Sequence, residues 1–184
     1  PSKSLLAAGH VAETIRRSRE FGIESLLPTI NSANIFHHVH DTIAKLAPND
    51  SAERFEGFGV KVIQASAHFV SPQEVEAGDY RITAKNFVIA TGCSPAVPLI
   101  TGLDTVPYYT NETIFYANFI PSNLIIIGGG PTGVEMAQAH RNLGAKVTLF
   151  EMSSILSQDD PELVQILRKQ LTDEGVILHE GVQI

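Results

Sequence analysis

Glycines at positions 128, 130 and 133 give the segment LIIIGGGPTGVEMAQ, residues 124–138, a GxGxxG pattern. An apolar run enters the pattern and an apolar-patterned segment leaves it, which is the order of a strand, a tight turn and a helix. The first glycine permits the turn, the second lets a pyrophosphate approach the backbone, and the third lets the helix pack on the strand. The unpaired N–H groups and the positive dipole end of that helix would then bind phosphate oxygens. The predicted contact residues are Gly128, Gly129, Gly130, Pro131, Thr132 and Gly133.

A carboxylate follows the glycines at the distance that a dinucleotide site requires. Glu151 closes the segment KVTLFE, about 20 residues after the turn, where it can accept hydrogen bonds from both hydroxyls of an adenosine ribose. A 2′-phosphate would meet that carboxylate, and the following MSS offers no arginine to neutralise it. We therefore expect NAD, as NADH, rather than NADP. The alternative is a tight glycine turn in another kind of α/β protein.

Composition limits the classes of function. The 184 residues are 43% hydrophobic and 18% charged, which is typical of a globular protein of one domain or two small ones. A formal net charge of −7 without a long basic run argues against nucleic acid or an anionic membrane surface as a partner, and no apolar run is long enough for a membrane span. The single cysteine, Cys93, is interpreted as structural, and such sparse use favours a reducing cytoplasm.

From residue 124 onward the pattern alternates between strand and helix. LIII, KVTLFE and VIL are predicted strands, and residues 132–143 and PELVQILRKQLTDEG are predicted helices. Such alternation is typical of βαβ units in a parallel sheet. This part of the chain must therefore position both the glycine turn and Glu151.

The first half of the chain has a different pattern. Apolar residues at helical spacing predict helices over residues 2–20, ending near Gly22, and from Ser32 to Leu46. A polar link, NDSAER, precedes a small antiparallel β-meander at about residues 60–85, made of the short segments VKVIQA, AHFV, QEVEA and YRITA. NFVIA, residues 86–90, is predicted to be a buried strand, and residues 91–107 form a Pro/Gly-rich connector.

Histidines at positions 37, 38 and 40 form an HHxH pattern, which is a candidate for metal binding. On a helix, His37 and His40 lie on adjacent turns while His38 points away, and no nearby cysteine completes a ligand set. We therefore predict no metal site.

Four stretches together resemble the pyridine nucleotide-disulfide oxidoreductases, such as dihydrolipoamide dehydrogenase, glutathione reductase and, most of all, the mercuric reductase-like members. They are PSKSLL at 1–6, NFVIATGCSPAVP at 86–98, IIIGGGPTGVEMAQAHRNLGAKVTLFE at 125–151 and DDPELVQILRKQLTDEGVIL at 159–178. Their order and spacing are those of the family. The resemblance implies an α/β fold, an FAD/NAD(P)-binding, three-layer, doubly wound (Rossmann-like) architecture with a small antiparallel β-meander. It also implies two incomplete nucleotide-binding domains, residues 1–117 for FAD and residues 118–184 for NAD.

The resemblance assigns residues to the FAD site as well. Ala90, Thr91 and Gly92 match the ATG of the family's second FAD contact, where the backbone at the end of a strand runs beside the nucleotide. Ala67 matches the position in the meander whose backbone meets the adenine.

Two charged residues are the predicted catalytic pair. Lys3 matches the lysine of PSK that sits near the flavin, and Glu135 matches the glutamate that follows the glycine turn and pairs with it. A cation near the flavin ring would stabilise the negative charge of the reduced form, and a buried lysine needs a counter-ion to remain charged.

In the family the PSK tripeptide directly follows a CxxxxC redox pair, and this chain begins at Pro1 rather than at methionine. We therefore expect a central piece of a flavoenzyme, without disulfide or mercuric reductase activity of its own. The parent would be a cytoplasmic homodimer that passes electrons from NADH through FAD to the cysteine pair and on to a disulfide or metal-ion substrate. Two alternatives stay open: a nucleotide-binding module without chemistry, and a related flavin-dependent NADH oxidase or reductase that lacks the cysteine pair.

Overall fold

A computed structural model describes residues 1–183. The chain forms two compact units, one made of Pro1–Ile43 together with the chain from Val97 onward, and one made of Ala44–Ala96. The helices are α1 (Ser2–Arg16), α2 (Ser32–Leu46), α3 (Ala52–Gly57), α4 (Pro131–Asn142) and α5 (Pro161–Asp173). The strands are β1 (Ala67–Ser71), β2 (Glu74–Ala77), β3 (Tyr80–Thr83), β4 (Asn123–Ile127), β5 (Lys146–Glu151) and β6 (Ile177–Glu180).

The first unit is built on a parallel sheet in the order β4-β5-β6. The helices α4 and α5 connect successive strands, which confirms the predicted βαβ alternation. Side chains that alternate along the strands, such as Val147 and Leu149 on β5, share one buried cluster with Val134 of α4 and Leu171 of α5. The carboxyl ends of the three strands therefore meet at one edge of the sheet, where the glycine turn and Glu151 lie.

The opposite face of this sheet carries apolar side chains that are open to solvent. Ile125 is 66% exposed and Ile177 is 54% exposed, whereas their strand neighbours Ile126 and Leu178 pack against the buried cluster. Phe150 and His179, which are paired in register, stack with ring centroids 4.9 Å apart. Parallel sheets are usually covered on both faces, so this face differs from the usual pattern within residues 1–183.

The helix α1 packs on α4 through a contact between small residues. A methyl group built on Gly9 would lie 3.2 Å from the carbonyl oxygen of Ala139 and 3.3 Å from Cβ of Asn142, so the two helix backbones approach closely. Leu5 and Ala12, one turn before and one turn after Gly9, are buried in the same cluster. The predicted helix over residues 2–20 is shorter than expected, because α1 ends at Arg16 and a 3₁₀ turn follows over Ser18–Phe21. The helical segment does end at the left-handed Gly22, as predicted.

Helix α2 begins and ends where the sequence predicts. The side chain of Asn31 accepts a hydrogen bond from the N–H of Asn34 at 3.1 Å, which caps the first turn. Phe36 and Val39 are buried, and the helix ends at Leu46, before Pro48.

The second unit contains the predicted meander. Strands β1, β2 and β3 pair antiparallel in that order, and Gly78, with a φ of 60°, makes the turn between β2 and β3. The side chain of Ser51 accepts a hydrogen bond from Arg54 N–H and starts α3, so the segment predicted as a polar link is partly helical.

Two predicted strands are wrong. Residues 60–65 and 86–90 have no strand structure, and the segment predicted to be buried is open to solvent, with Val88 91% and Ile89 74% exposed. An isolated β-rich segment gains nothing from its propensity until it pairs with a neighbour. The described residues supply no such neighbour to either segment.

The α/β class, the parallel sheet and the antiparallel meander agree with the predicted fold class. The division at residues 117 and 118 into FAD and NAD domains stays a prediction. Within residues 1–183, none of the helices combines the length and the apolar character that crossing a membrane would require.

Candidate nucleotide-binding site

The turn between β4 and α4 continues the sheet for one further residue. The N–H of Gly128 donates to the carbonyl oxygen of Phe150 at 2.9 Å, and the chain then reverses with a φ of 109° at Gly128. That left-handed value strains any residue with a side chain. A methyl group on Gly133 would overlap the carbonyl oxygen of Gly128, so the first and last glycines of the pattern are required by the turn and by the approach of helix to strand.

Gly130 differs from its neighbours because no protein atom lies within 4 Å of the position of its missing methyl group. It is also the N-cap of α4, and no side chain caps this helix. Pro131 occupies the first helical position, and the N–H groups of the next two residues have no partner within the helix. The turn therefore presents free donors and open space at the positive end of a helix dipole.

Glu151 lies against this turn. One carboxylate oxygen accepts a hydrogen bond from the N–H of Gly129 at 2.6 Å, and the other accepts from the N–H of Ser153 at 2.9 Å. The side chain is half-buried. Each oxygen keeps further acceptor capacity, because a carboxylate offers about four lone-pair sites. The carboxylate is thus fixed in place while it can still accept from a ligand hydroxyl.

The middle glycine of the triplet faces the protein. Gly129 is buried, and a methyl group there would lie 2.9 Å from Cγ2 of Ile155 and 3.0 Å from Cγ of Glu151. Its carbonyl oxygen accepts from the N–H of Leu156 at 2.9 Å. The segment 152–156 therefore folds back from β5 over the glycine turn, with Leu156 at a φ of 50°. We call this segment the β5 loop.

A partly buried ion pair holds the β5 loop from its other side. Glu180 at the end of β6 accepts from the N–H of Ile155 at 2.7 Å and from Arg168 of α5 at 2.8 and 2.9 Å. The hydrogen bonds from Arg168 hold the pKa of the Glu180 carboxyl below its usual value, and Glu180 in turn raises the pKa of Arg168. The pair therefore stays charged at neutral pH.

The predicted catalytic pair is not joined in this structure. Helices α1 and α4 bring Lys3 and Glu135 into the same unit, but no ion pair links the two side chains among the described residues. Lys3 is exposed and Glu135 is half-buried. The roles assigned to both residues stay predictions.

The predicted FAD contacts all lie in the second unit. Ala67 begins β1, and residues 90–92 lie in a segment without regular structure, with Gly92 in the left-handed region. All four residues, Ala67, Ala90, Thr91 and Gly92, are exposed. They form no wall for a nucleotide within that unit.

Other candidate residues have ordinary surroundings. Cys93 is exposed and carries no disulfide. His40 Nε2 lies 2.9 Å from the carbonyl oxygen of Phe115, and His37 lies near Asp41 on the surface of α2. Across residues 1–183, no group of three or more metal-ligating side chains is close enough to hold an ion.

Four residues at this site are not evident from the sequence. The roles of Ile155, Leu156, Arg168 and Glu180 depend on the return of the β5 loop, and no motif marks that return. The only local signal is that Glu180, like Glu151, is an acidic residue at the end of a strand. The two glutamates are paired in register on β5 and β6.

Comparisons with known proteins identify the family of this chain. A family model described as pyridine nucleotide-disulphide oxidoreductase matches residues 1–184. The mercuric reductase of Bacillus cereus is 32% identical over 182 residues, which cover 98% of this chain and 29% of that protein. The mercuric reductase of Staphylococcus aureus is 30% identical over 183 residues, which cover 99% and 34%. The chain thus spans about a third of the length of these relatives.

Solved structures show the same fold. LpdA from Mycobacterium tuberculosis superposes with a TM-score of 0.77 at 23% identity, covering 98% of this chain and 41% of that one. The Cu(II) complex of RclA, an HOCl-induced flavoprotein disulfide reductase from Escherichia coli, gives a TM-score of 0.73 at 23% identity, covering 100% and 39%. The predicted fold class is confirmed.

Proposed function

Because the chain belongs to the pyridine nucleotide-disulfide oxidoreductase family, we propose that it carries the NADH site of a larger FAD-dependent reductase of the mercuric reductase type. The whole protein would pass electrons from NADH through FAD to a cysteine pair, and from there to a disulfide or a metal ion. The 184 residues alone would bind the nucleotide without completing the reaction. The cytoplasmic location and the homodimer implied by the resemblance stay predictions.

The hydrogen bond between Glu151 and Gly129 N–H is the observation that carries this proposal. It fixes a carboxylate on the residue that precedes Gly130, where the turn leaves open space at the N-terminus of α4. A dinucleotide needs both features together, since its pyrophosphate requires donors and its ribose requires an acceptor. A tight glycine turn that binds no ligand would not need the carboxylate.

The residues of this chain would bind and orient the nucleotide. The N–H groups at the start of α4 would donate to the pyrophosphate, and Glu151 would accept from the adenosine ribose hydroxyls. A 2′-phosphate would bring two negative charges against Glu151, so we propose NADH as the preferred form. Bound NADH supplies the hydride, and these residues supply position and charge.

The described residues do not fit FAD in the same way. The four predicted contacts are exposed, and the segment that should form a strand beside the flavin nucleotide has no strand structure. We therefore derive no role for the individual side chains toward FAD. Family membership implies the cofactor for the whole protein.

Substitution of Gly130 by valine tests the proposal. The new side chain enters open space at a φ of −71°, so it should fill the pyrophosphate position without disturbing the fold. We expect NADH affinity to fall at least about tenfold, with an unchanged melting temperature, because one displaced charge-assisted contact is worth about 1.4 kcal/mol or more. NADH binding is measured by nucleotide fluorescence.

Gly57→Val is the matched control, because Gly57 also has no protein atom near its missing methyl group and has no left-handed φ, yet it lies in the other unit. It should leave NADH affinity unchanged. Equal affinities for all three proteins, or no binding by the folded wild-type chain, would contradict the proposal.

The alternative function is a nucleotide-binding module without redox chemistry. It shares the same site, so NADH binding does not distinguish the two. NADH-dependent reduction of a disulfide or a metal ion by the whole protein would exclude it.

A further inference from the structure

Arg168 and Glu180 form a bidentate ion pair between α5 and β6. Nε and Nη2 of Arg168 donate to the two oxygens of Glu180 at 2.8 and 2.9 Å, and the two side chains are only 25% and 24% exposed. Such a pair loses hydration on folding, so its geometry and its further hydrogen bonds decide what it contributes. Here one further hydrogen bond to Glu180 comes from the β5 loop.

Glu180 also accepts a hydrogen bond from the N–H of Ile155 at 2.7 Å. The carboxylate thus joins three elements: α5, β6 and the β5 loop. The N–H of Gly181 donates to the carbonyl oxygen of Ser153 at 2.9 Å, which ties the same loop to the end of β6 a second time. The β5 loop, which leads from Glu151 toward α5, is therefore hydrogen-bonded to the end of β6, the strand that follows α5.

The other side of the β5 loop touches the nucleotide site. Ile155 is fully buried beneath Gly129, and the N–H of Leu156 donates to the carbonyl oxygen of Gly129. Gly129 donates its own N–H to Glu151. A continuous series of contacts runs from Arg168 through Glu180 and the loop to Gly129 and the Glu151 carboxylate.

We propose that Glu180, held by Arg168, is a positioning residue for the nucleotide site. By fixing the β5 loop it fixes Gly129 and the orientation of Glu151, and so it sets the affinity for NADH without touching the nucleotide. This inference rests on the proposed function, because it requires Glu151 to contact the ribose. If the ion pair only stabilised the fold, its removal would change NADH affinity equally with and without Glu151.

A double-mutant cycle on the 184-residue chain separates the two roles. NADH affinity is measured up to millimolar nucleotide for Glu180→Ala and Arg168→Met, each in the wild-type and Glu151→Ala backgrounds. We expect each change to weaken NADH binding about five- to tenfold in the wild-type background and less than about twofold when Glu151 is absent. If Glu180→Ala does not fold, Arg168→Met carries the test alone, with the same expected result in both backgrounds.

Asp173→Asn is the matched control. Asp173 pairs with Lys169 on the same helix, and both side chains are exposed and take no part in the loop contacts described above. The control should change NADH affinity less than about twofold in either background. Hydrogen exchange of the Gly129 and Leu156 amides gives a second readout without nucleotide, and we expect faster exchange in Glu180→Ala than in Asp173→Asn.

The outcomes separate this inference from the proposed function. Equal losses of affinity in both backgrounds, no loss in either, or unchanged amide exchange would overturn the positioning role while NADH binding by the wild-type chain stands. A folded wild-type chain that binds no NADH would overturn the proposed function and this inference together.

Discussion

The carboxylate of Glu151 lies 2.6 Å from the amide nitrogen of Gly129, although the two residues are 22 positions apart in the sequence. This contact makes the acidic residue at the end of β5 part of the same rigid turn as the glycines. The turn and the carboxylate therefore respond to substitution as one site.

The first prediction concerns the choice between NADH and NADPH. Glu151→Gln keeps an acceptor for Gly129 N–H but removes the charge that would repel a 2′-phosphate. We expect the ratio of NADH affinity to NADPH affinity to fall at least about tenfold, since one charge contact at an effective dielectric near 20 is worth a few kcal/mol. Parallel titrations with the two nucleotides measure it. A ratio that stays constant would contradict the ribose assignment.

The second prediction concerns the close approach of helix and strand. Gly133→Ala places a methyl group on the carbonyl oxygen of Gly128, whereas Gly130→Ala places one in open space. We expect the first change to lower the free energy of unfolding by about 1–3 kcal/mol or more, and the second to leave it within about 0.5 kcal/mol. Denaturant titration compares the pair, and equal stabilities would show that the turn is looser than described.

The third prediction concerns pH. His140 is fully buried, its Nδ1 donates to the carbonyl oxygen of Met136 at 2.9 Å, and its Nε2 has no partner among the described residues. Burial lowers the pKa of His140 in the folded chain, because the interior disfavours the charged ring. The unfolded chain then binds a proton more readily than the folded chain. The contribution of His140 to the free energy of unfolding is complete above the unfolded pKa, near 6.5. It is lost as pH falls from there toward the folded pKa.

Replacement of this histidine should therefore reduce the pH dependence. In His140→Leu we expect the unfolding free energy to change less between pH 7 and pH 5 than in the wild-type chain. His38→Leu, which removes an exposed histidine of α2, should keep the wild-type slope. Identical slopes in all three proteins would contradict the assignment.

The fourth prediction concerns flavin. Because Ala90, Thr91 and Gly92 are exposed in a segment without strand structure, we expect the purified 184-residue chain to be colourless while it binds NADH. The visible absorption spectrum decides this directly. Flavin bands near equimolar occupancy would show that the second unit binds FAD, in a conformation different from the one described here for residues 90–92.

The elements with local signals could be predicted from the sequence. Helix α2 has a capping asparagine and a following proline, and the βαβ units carry glycines at their turns and apolar residues at the right periods. The glycine pattern and Glu151 could be predicted together because the strand–turn–helix–strand unit fixes their spacing. Their contact is present in the structure, while their role in binding the nucleotide stays a prediction.

The errors and omissions arise where structure depends on a partner. NFVIA has the composition of a buried strand, but a strand is defined by the neighbour it pairs with, and Val88 and Ile89 face solvent instead. The position of Glu180 beside Ile155 depends on a loop that returns across two other elements, and no residue type marks that return. The Lys3–Glu135 pairing was implied by resemblance, and the helix packing alone does not form it.

The contact between Gly9 and Ala139 has a mechanical consequence. At this crossing, backbone meets backbone with no intervening side chain that could change rotamer, so the two helices cannot slide without displacing a main chain. We expect α1 and α4 to move as one rigid body, with correlated amide exchange along both. A displacement of α4 would then carry α1 with it.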